Sequence, residues 1–591
     1  MLELRFRASH VKANLLVQCE FEFADGSRAS PYFYASFDKA DEWTTVASRV
    51  CPDSTLPKQW TPRKLVNLHI WVMSDRQVTV DFDWVKLREL NTTEQKKGKE
   101  WIALLKDYEP REPAILEDFF PFGVYAASPD SSSLHKSTHR MTYRNLSRHH
   151  LNFVLATSPK SVKSAREMGI RVGIRMRSAS NHFERGGTRA VIEFAKPIID
   201  RFRNDPAVLC YDMGDERPIA ELWSTAAAIR ILDQIDPTRP SVLTFWDPTA
   251  IRAYRPYVPL DLADIYPLVE NSGRKPAHTF YAFHRRLARE NANKRQWIIL
   301  QSFGAAPWRS KRGYVFPTVE ELRLQIYSAL AGGARGIICY STSYDRYRML
   351  TDQWGNPNEL MDELSRLGTK IIPIGRRLLD CVVDFDAHAS CDNEKILIGV
   401  VKSPKRQASY VTAVNTDLEE FQGGTLLGWT GDWFDLHRLA KVSGKAIEPI
   451  EPGGGRSYFL GDETQFAIES AVIRKNRAEE DTRASRPDRL FAQKGCDPTL
   501  RDILDEVARI MGDIEPAMYW DNPDAKVVDL MLPYRDRYWA LHARWVTAYE
   551  LLLSGQDTAN AAAVLRYSKH LTAEVRASLG DHSMYPKDVR G

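Results

Sequence analysis

No stretch of about eighteen consecutive apolar residues occurs in the 591-residue chain, so no segment has the length and hydropathy of a membrane-spanning helix. Charge of one sign is equally scarce. Lys and Arg number 81 against 77 Asp and Glu, a net +4 over the whole length, which leaves no concentrated basic face of the kind that binds nucleic acid. The seven cysteines, at 19, 51, 210, 339, 381, 391 and 496, form no CxxC pair and no zinc-like spacing. Their odd number leaves at least one thiol free and excludes a disulfide framework as the organising principle. His139, His149 and His150 lack metal-ligand spacing as well, and neither a metal nor a cofactor is assigned. No signal-peptide pattern follows Met1. The segment LELRFRAS alternates Leu2, Leu4 and Phe6 on one side, so the chain opens inside a strand. Such an opening suggests that upstream residues were trimmed, which would favour a secreted or periplasmic protein; this N-terminus itself does not name a compartment.

Aromatic residues, by contrast, are abundant: 15 Trp, 23 Tyr and 24 Phe, a supply that suits sugar-stacking surfaces and large cores alike. The length calls for three or four domains. Residues 1–90 read as all-β, with alternating segments at 15–23, 65–73 and 78–90 separated by polar turns such as Asp25-Gly26. The closing segment, with Asp81, Asp83 and Trp84, resembles the last strand of jelly-roll carbohydrate-binding modules, which implies a β-sandwich here. A charged linker follows over 91–118.

From 119 to 385 strands and helices alternate. The strands are read at 122–128, 151–157, 171–177, 207–213, 241–246, 263–268, 296–304 and 334–341. Helical stretches lie between them at 158–169, 219–236, 278–294 and 318–333, the last opening on Thr318 with Glu321 three positions on, a capping-box signature. Eight apolar strands in this alternation predict a closed (β/α)8 barrel. A doubly wound sheet is the rival, but no glycine-rich phosphate turn follows the first strand. Residues 386–473 return to β patterning as a small sandwich. The remainder, 474–591, reads as a charged linker (RKNRAEEDTRASRPDR, 474–489) and a helical region in which Tyr534, Tyr538, Leu541, Trp545 and Tyr549 form a packing stripe.

Chemistry in such a barrel sits at the C-terminal ends of the strands. Past the fourth strand, AVLCYDMGDERP places Asp215 and Glu216. This segment resembles the acid/base segment of barrel glycoside hydrolases of the large retaining clan, in which a strand-4 Glu follows a polar residue, more commonly Asn than Asp. FFPFGVYAA, LADIYPL, LQSFG and GGARGIICYS, at strands 1, 6, 7 and 8, resemble the same superfamily in order and spacing over residues 119–380. The resemblance implies cleavage of an oligo- or polysaccharide with Glu216 as general acid/base, because the leaving oxygen of a glycosidic bond needs a proton and a partly buried Glu can hold one. The bland alternative is that Asp215 and Glu216 cap the following helix.

The chain departs from that pattern at strand 7, where the clan's nucleophile is a Glu and this sequence has Gln301. A neutral amide cannot form a glycosyl ester. Gln301 is therefore a sugar-binding residue of a divergent enzyme, an engineered nucleophile knockout, or the mark of a non-catalytic sugar-binding barrel, and the first is preferred. The base then comes from another strand end. Asp264 on strand 6 is the first choice, ahead of Asp247 and Asp345, with Asp212 as a buried orienter. Asp264 is two strands from Glu216 around the ring, a separation that leaves room for a water, which predicts inversion. Asp215, Trp246, Tyr266, Gln301, Trp308 and Tyr340 complete the substrate-binding set, Trp308 as the ring platform, while Arg175, Arg177, Arg309 and Arg312 near the strand ends read as surface pairing. No strand-end lysine supports Schiff-base chemistry.

Overall fold

The computed structural model describes residues 2–9, 14–23, 28–29, 32–36, 41–48, 62–73, 79–87, 101, 103–110, 113–125, 139–217, 221–246, 248–269, 276–290, 295–305, 314–342, 347–352, 354–429, 431–495, 497–518, 525–553 and 561–580. The chain divides into two compact units. One comprises Met1–Pro113, Met176–Arg203 and Tyr211–Leu262; the other comprises Ala114–Arg175, Asn204–Cys210 and Ala263–Gly591.

Eight parallel strands, Phe122–Tyr125, Phe153–Thr157, Arg171–Arg175, Val208–Asp215, Ser241–Phe245, Leu260–Ile265, Gln296–Gln301 and Ile337–Tyr340, close a barrel in sequence order. They are numbered barrel strands 1 to 8 below. Strands 1, 2, 5 and 7 are buried at every position, as expected where a parallel strand is covered on both faces, which is why they read as continuous apolar runs. Strand 6 starts three residues earlier than the sequence suggests and stops at Ile265. Pro267 has no N–H to offer a ladder, so strand pairing ends before it.

The first unit carries two antiparallel sheets at its N-terminal end. In one, Leu2–Ala8 lies between Thr44–Ser48 and Val80–Leu87; in the other, Asn14–Phe23 pairs with Arg28–Ala29, Tyr32–Ser36 and Pro62–Met73. Leu4, Phe6, Leu15 and Val17 are fully buried, the inward half of the period-two alternation. Arg5 and Arg7 on the outward half pair with Asp83 and Asp81, each at 2.8 Å. Part of the charged segment expected to be a linker is anchored in this unit: Trp101 packs edge-tilted on Phe183 at 5.7 Å, and the Tyr108 hydroxyl donates to Asp233.

In the second unit, a six-stranded antiparallel sheet and a three-stranded one occupy 382–460. The long strand Ala408–Asn415 shows how they are held. Tyr410 belongs to an apolar cluster with Ile374, Leu378 and Ile473, while its neighbour Val411 faces a second cluster with Leu426, Ile447 and Ile450. One strand thus buries both faces.

The stretch 474–489, expected to be a linker, is instead helical. It lies in helix Glu463–Ala484, opened by an Asp462/Gln465 capping box, and in helix Arg486–Gln493. Its charges are used in packing. Asn476 donates to Pro373 O at 3.1 Å, Arg477 to Leu436 O and His437 O, and Glu479 and Glu480 pair with Arg376 and Arg483. A run of charges that reads as solvated is here a set of satisfied ion pairs. Three further helices, Pro498–Gly512, Ala525–Leu553 and Ala561–Leu579, share an apolar core that includes Tyr538, Leu541, Trp545 and Tyr549, with Tyr534 packed against it.

Candidate active site

In the first unit, the end of barrel strand 4 is shaped by a bulge. Tyr211 and Asp212 pair with Ser241 and Val242, but the next registered pair is Asp215 with Thr244, so one extra residue is inserted across from Leu243. Gly214 sits in the bulge at φ 155°, where an added Cβ would lie 2.2 Å from Arg217 Nε and would force the Arg217 side chain to move. The Glu216 amide donates to Thr244 O at 3.0 Å and holds the strand's last turn.

Glu216 has φ 48°, the left-handed region that a residue with a Cβ enters at a cost of about 1 kcal/mol or more. Its side chain is half-buried. Asp212 is fully buried. It accepts the Gly214 N–H at 3.2 Å and the Arg177 Nε–H at 3.0 Å. Arg177 also lies 3.8 Å from the exposed Asp215, so one guanidinium serves two carboxylates. Arg217 donates to Glu221 at 2.7 Å and to Arg177 O, which fixes the chain beyond Glu216. Trp246, directly after strand 5, is 45% exposed.

In the second unit, the ends of strands 1, 6, 7 and 8 bring aromatic rings together. Tyr266 meets Phe303 edge-on at 4.9 Å, Tyr340 at 6.0 Å and Tyr314 at 6.1 Å; Phe303 meets Tyr340 at 5.4 Å, and Tyr125 meets Tyr340 at 5.7 Å. Tyr266, Tyr314 and Tyr340 keep partly exposed faces, while Tyr125 and Phe303 lie behind them, buried. The Tyr340–Ser341 peptide is cis, and the Ser341 hydroxyl donates to Tyr125 O at 2.6 Å. Asp264, near the end of strand 6, is buried.

The structure gives Gln301 a different task from the sugar contact expected of it. The residue is fully buried. Its Oε1 accepts the Leu268 N–H at 3.0 Å, and its Nε2 donates towards Leu268 O, Val315 O and Phe303 O at 3.1, 2.9 and 3.2 Å. Both ends of the amide, its oxygen and its NH2, are thus engaged by backbone.

Of the sequence-derived set, Asp215 and Glu216 lie together with Asp212 and Arg177 in the first unit, and Tyr266 and Tyr340 lie together in the second. Trp308, Asp247, Asp345, Arg309 and Arg312 fall outside the described residues. Arg177, expected to pair at the surface, instead pairs with the fully buried Asp212. Phe303 and Tyr314 were missed; the only signal was Phe303 within LQSFG, since Tyr314 follows a long polar loop without a pattern. Among the described residues, no group of three or more His, Cys, Asp or Glu is arranged to hold a metal ion, and no helix is long and apolar enough to cross a membrane.

These features define a (β/α)8-barrel protein with carboxylates past its fourth strand and aromatic rings at the ends of strands 1, 6, 7 and 8. No protein-family model matches the chain, and no curated protein matches it. Among solved structures, the chain is similar to a glycoside hydrolase of family 5 from Bacteroides vulgatus, with 11% identity, 60% of this chain and 94% of that one covered, and a TM-score of 0.42. It is similar to a β-galactosidase from the psychrophilic Marinomonas ef1, with 13% identity over 44% and 62% of the two chains and a TM-score of 0.35. A third structure, described as a glycoside hydrolase, has 10% identity over 58% and 93% and a TM-score of 0.37.

Proposed function

We propose that the protein is a glycoside hydrolase acting on an oligo- or polysaccharide, with Glu216 as the general acid. The observation that carries this reading is the backbone of Glu216, held at φ 48° at the end of a bulged strand 4. Strained backbone persists where the surroundings over-determine it, and it gathers at sites where a side chain must point in one direction. A helix cap would not require it. Asp212 orients Arg177, Arg177 offsets the charge of Asp215, and Glu216 is left half-buried to carry a proton to the leaving oxygen. Asp264 is the proposed base for a water, and the reaction proceeds with inversion. Trp246, Tyr266 and Tyr340 present rings to the apolar faces of the sugar.

The neutral Gln301 favours a second reading, a sugar-binding barrel without hydrolysis. Incubation with a panel of plant, fungal and bacterial glycans, followed by reducing-end detection, separates the two. Release of reducing ends supports the enzyme; glycan binding by calorimetry without any release supports the binder. The anomeric configuration of the first product, by NMR, then tests the role of Asp264, since retention would exclude the inverting scheme.

A further inference from the structure

We infer that Gln301 is an amide clamp native to this fold, and that the strand-7 position does not supply the second carboxylate. Two chain segments meet above it. Leu268 follows strand 6 and Val315 follows strand 7, and the two are joined by the Val315 N–H donating to Leu268 O at 2.9 Å, beside an antiparallel bridge between Val269 and Tyr314. The carboxamide of Gln301 lies under this junction. One oxygen meets one N–H, and one NH2 meets three carbonyl oxygens, a pattern of one acceptor and a forked donor that only a primary amide matches. The backbone of Gln301 is fixed in turn by a second amide: its N–H donates to Gln325 Oε1 at 2.9 Å, and its carbonyl accepts from Gln325 Nε2 at 3.2 Å.

A glutamate in this place would turn an oxygen towards three carbonyl oxygens in a site with no exposure to water. A buried charge without a partner costs several kcal/mol, so the group would hold its proton instead. The residue beneath the Tyr266–Phe303–Tyr314 cluster is thus a positioning residue whose neutrality is required. A knocked-out or decayed nucleophile would show the opposite: a pocket built for a carboxylate, with donors facing it. The inference draws on the proposed function only in saying where the second carboxylate does not come from. Its test reads stability, so it stands or falls independently of whether the protein proves to be a hydrolase.

The test is thermal unfolding of wild type, Gln301→Glu and Gln301→Met between pH 5 and 8. The introduced carboxyl has a folded-state pKa above the usual carboxylate value, so the folded variant binds more protons than its unfolded chain and loses stability as pH rises through that window. Gln301→Glu is expected to melt below wild type, with a gap that widens by several degrees from pH 5 to 8, while the deficit of Gln301→Met stays constant with pH. Gln301→Glu as stable as wild type at pH 8 would overturn the inference. Should Gln301→Glu yield no folded protein at any pH, Gln301→Met decides by hydrogen exchange. The peptide spanning residues 265–269 is then expected to exchange about tenfold faster than in wild type, the loss of one hydrogen bond. Unchanged exchange there would overturn the clamp.

Discussion

Arg177 and Asp212 form a 3.0 Å ion pair in which the carboxylate is wholly buried and the guanidinium reaches on towards Asp215. The pair stands at the root of the bulge that ends in Glu216. Removing Arg177 leaves the buried Asp212 carboxylate without its cation, so Arg177→Met is expected to cost about 1–3 kcal/mol in stability by denaturant unfolding. The double change Arg177→Met with Asp212→Leu is expected to recover part of that loss, whereas a fully additive pair of losses would mean that the two residues do not interact.

The left-handed backbone of Glu216 leads to a separate expectation. Glycine enters that region freely, so Glu216→Gly is expected to leave stability unchanged or to raise it by about 1 kcal/mol, against the usual trend for a glycine substitution. Chemical denaturation of the two proteins checks this. A loss of more than about 1 kcal/mol would show that the backbone is not strained there.

How much of this was legible beforehand varies with the physics of each element. The barrel strands were readable because strands covered on both faces are buried at every position and carry apolar runs, as Phe153–Thr157 and Gln296–Gln301 do. Thr318 and Glu321 announced their helix because a capping box is local in sequence, and both of its bonds are present. The helix Glu463–Ala484 was hidden because its stabilising partners, Arg376, Arg377 and Pro373, come from another part of the chain. Gln301 was misread for the same reason. Its partners are backbone atoms of residues 268, 303 and 315, and backbone carries no side-chain signature.

The Thr318 cap supports a simple check on that local reading. Thr318→Ala removes the oxygen that accepts the Glu321 N–H, and a loss of about 1 kcal/mol is expected in equilibrium unfolding. No measurable loss would mean that solvent replaces the cap.

Trp354, in the segment that follows barrel strand 8, is expected to be the main anchor between that segment and the C-terminal helices. It is 1% exposed, donates its indole N–H to the Tyr538 hydroxyl at 2.5 Å, and packs on His542 and Trp545 at 4.7 and 5.0 Å. Trp354→Ala is expected to cost about 3–5 kcal/mol and to expose the helices to limited proteolysis. An unchanged digestion pattern would locate the anchor elsewhere.

Asp233 supplies a pH dependence. Removal from water, together with the nearby Asp236, raises its carboxyl to about 7 against the opposing hydrogen bond from Tyr108. A folded-state value above the unfolded one means that stability is greatest at low pH and declines as pH rises from about 4 to about 7. Asp233→Asn keeps an acceptor for Tyr108 and removes the titration. The variant is therefore expected to gain on wild type across that window, reaching about 1–2 kcal/mol at pH 8 after allowance for solvent screening. Parallel curves for the two proteins between pH 4 and 8 would contradict the shift.

The most direct test of the central claim is the turnover of Glu216→Gln on whichever natural glycan the wild type cleaves. Glutamine keeps the shape and hydrogen bonding of Glu216 and removes only the transferable proton. The account predicts a fall in kcat of about 100-fold or more, with glycan affinity held within about twofold. An aryl glycoside would be a poor substitute, because a good leaving group needs little protonation. A Glu216→Gln protein that retains most of the wild-type kcat on the natural glycan would contradict the assignment of Glu216 as the acid.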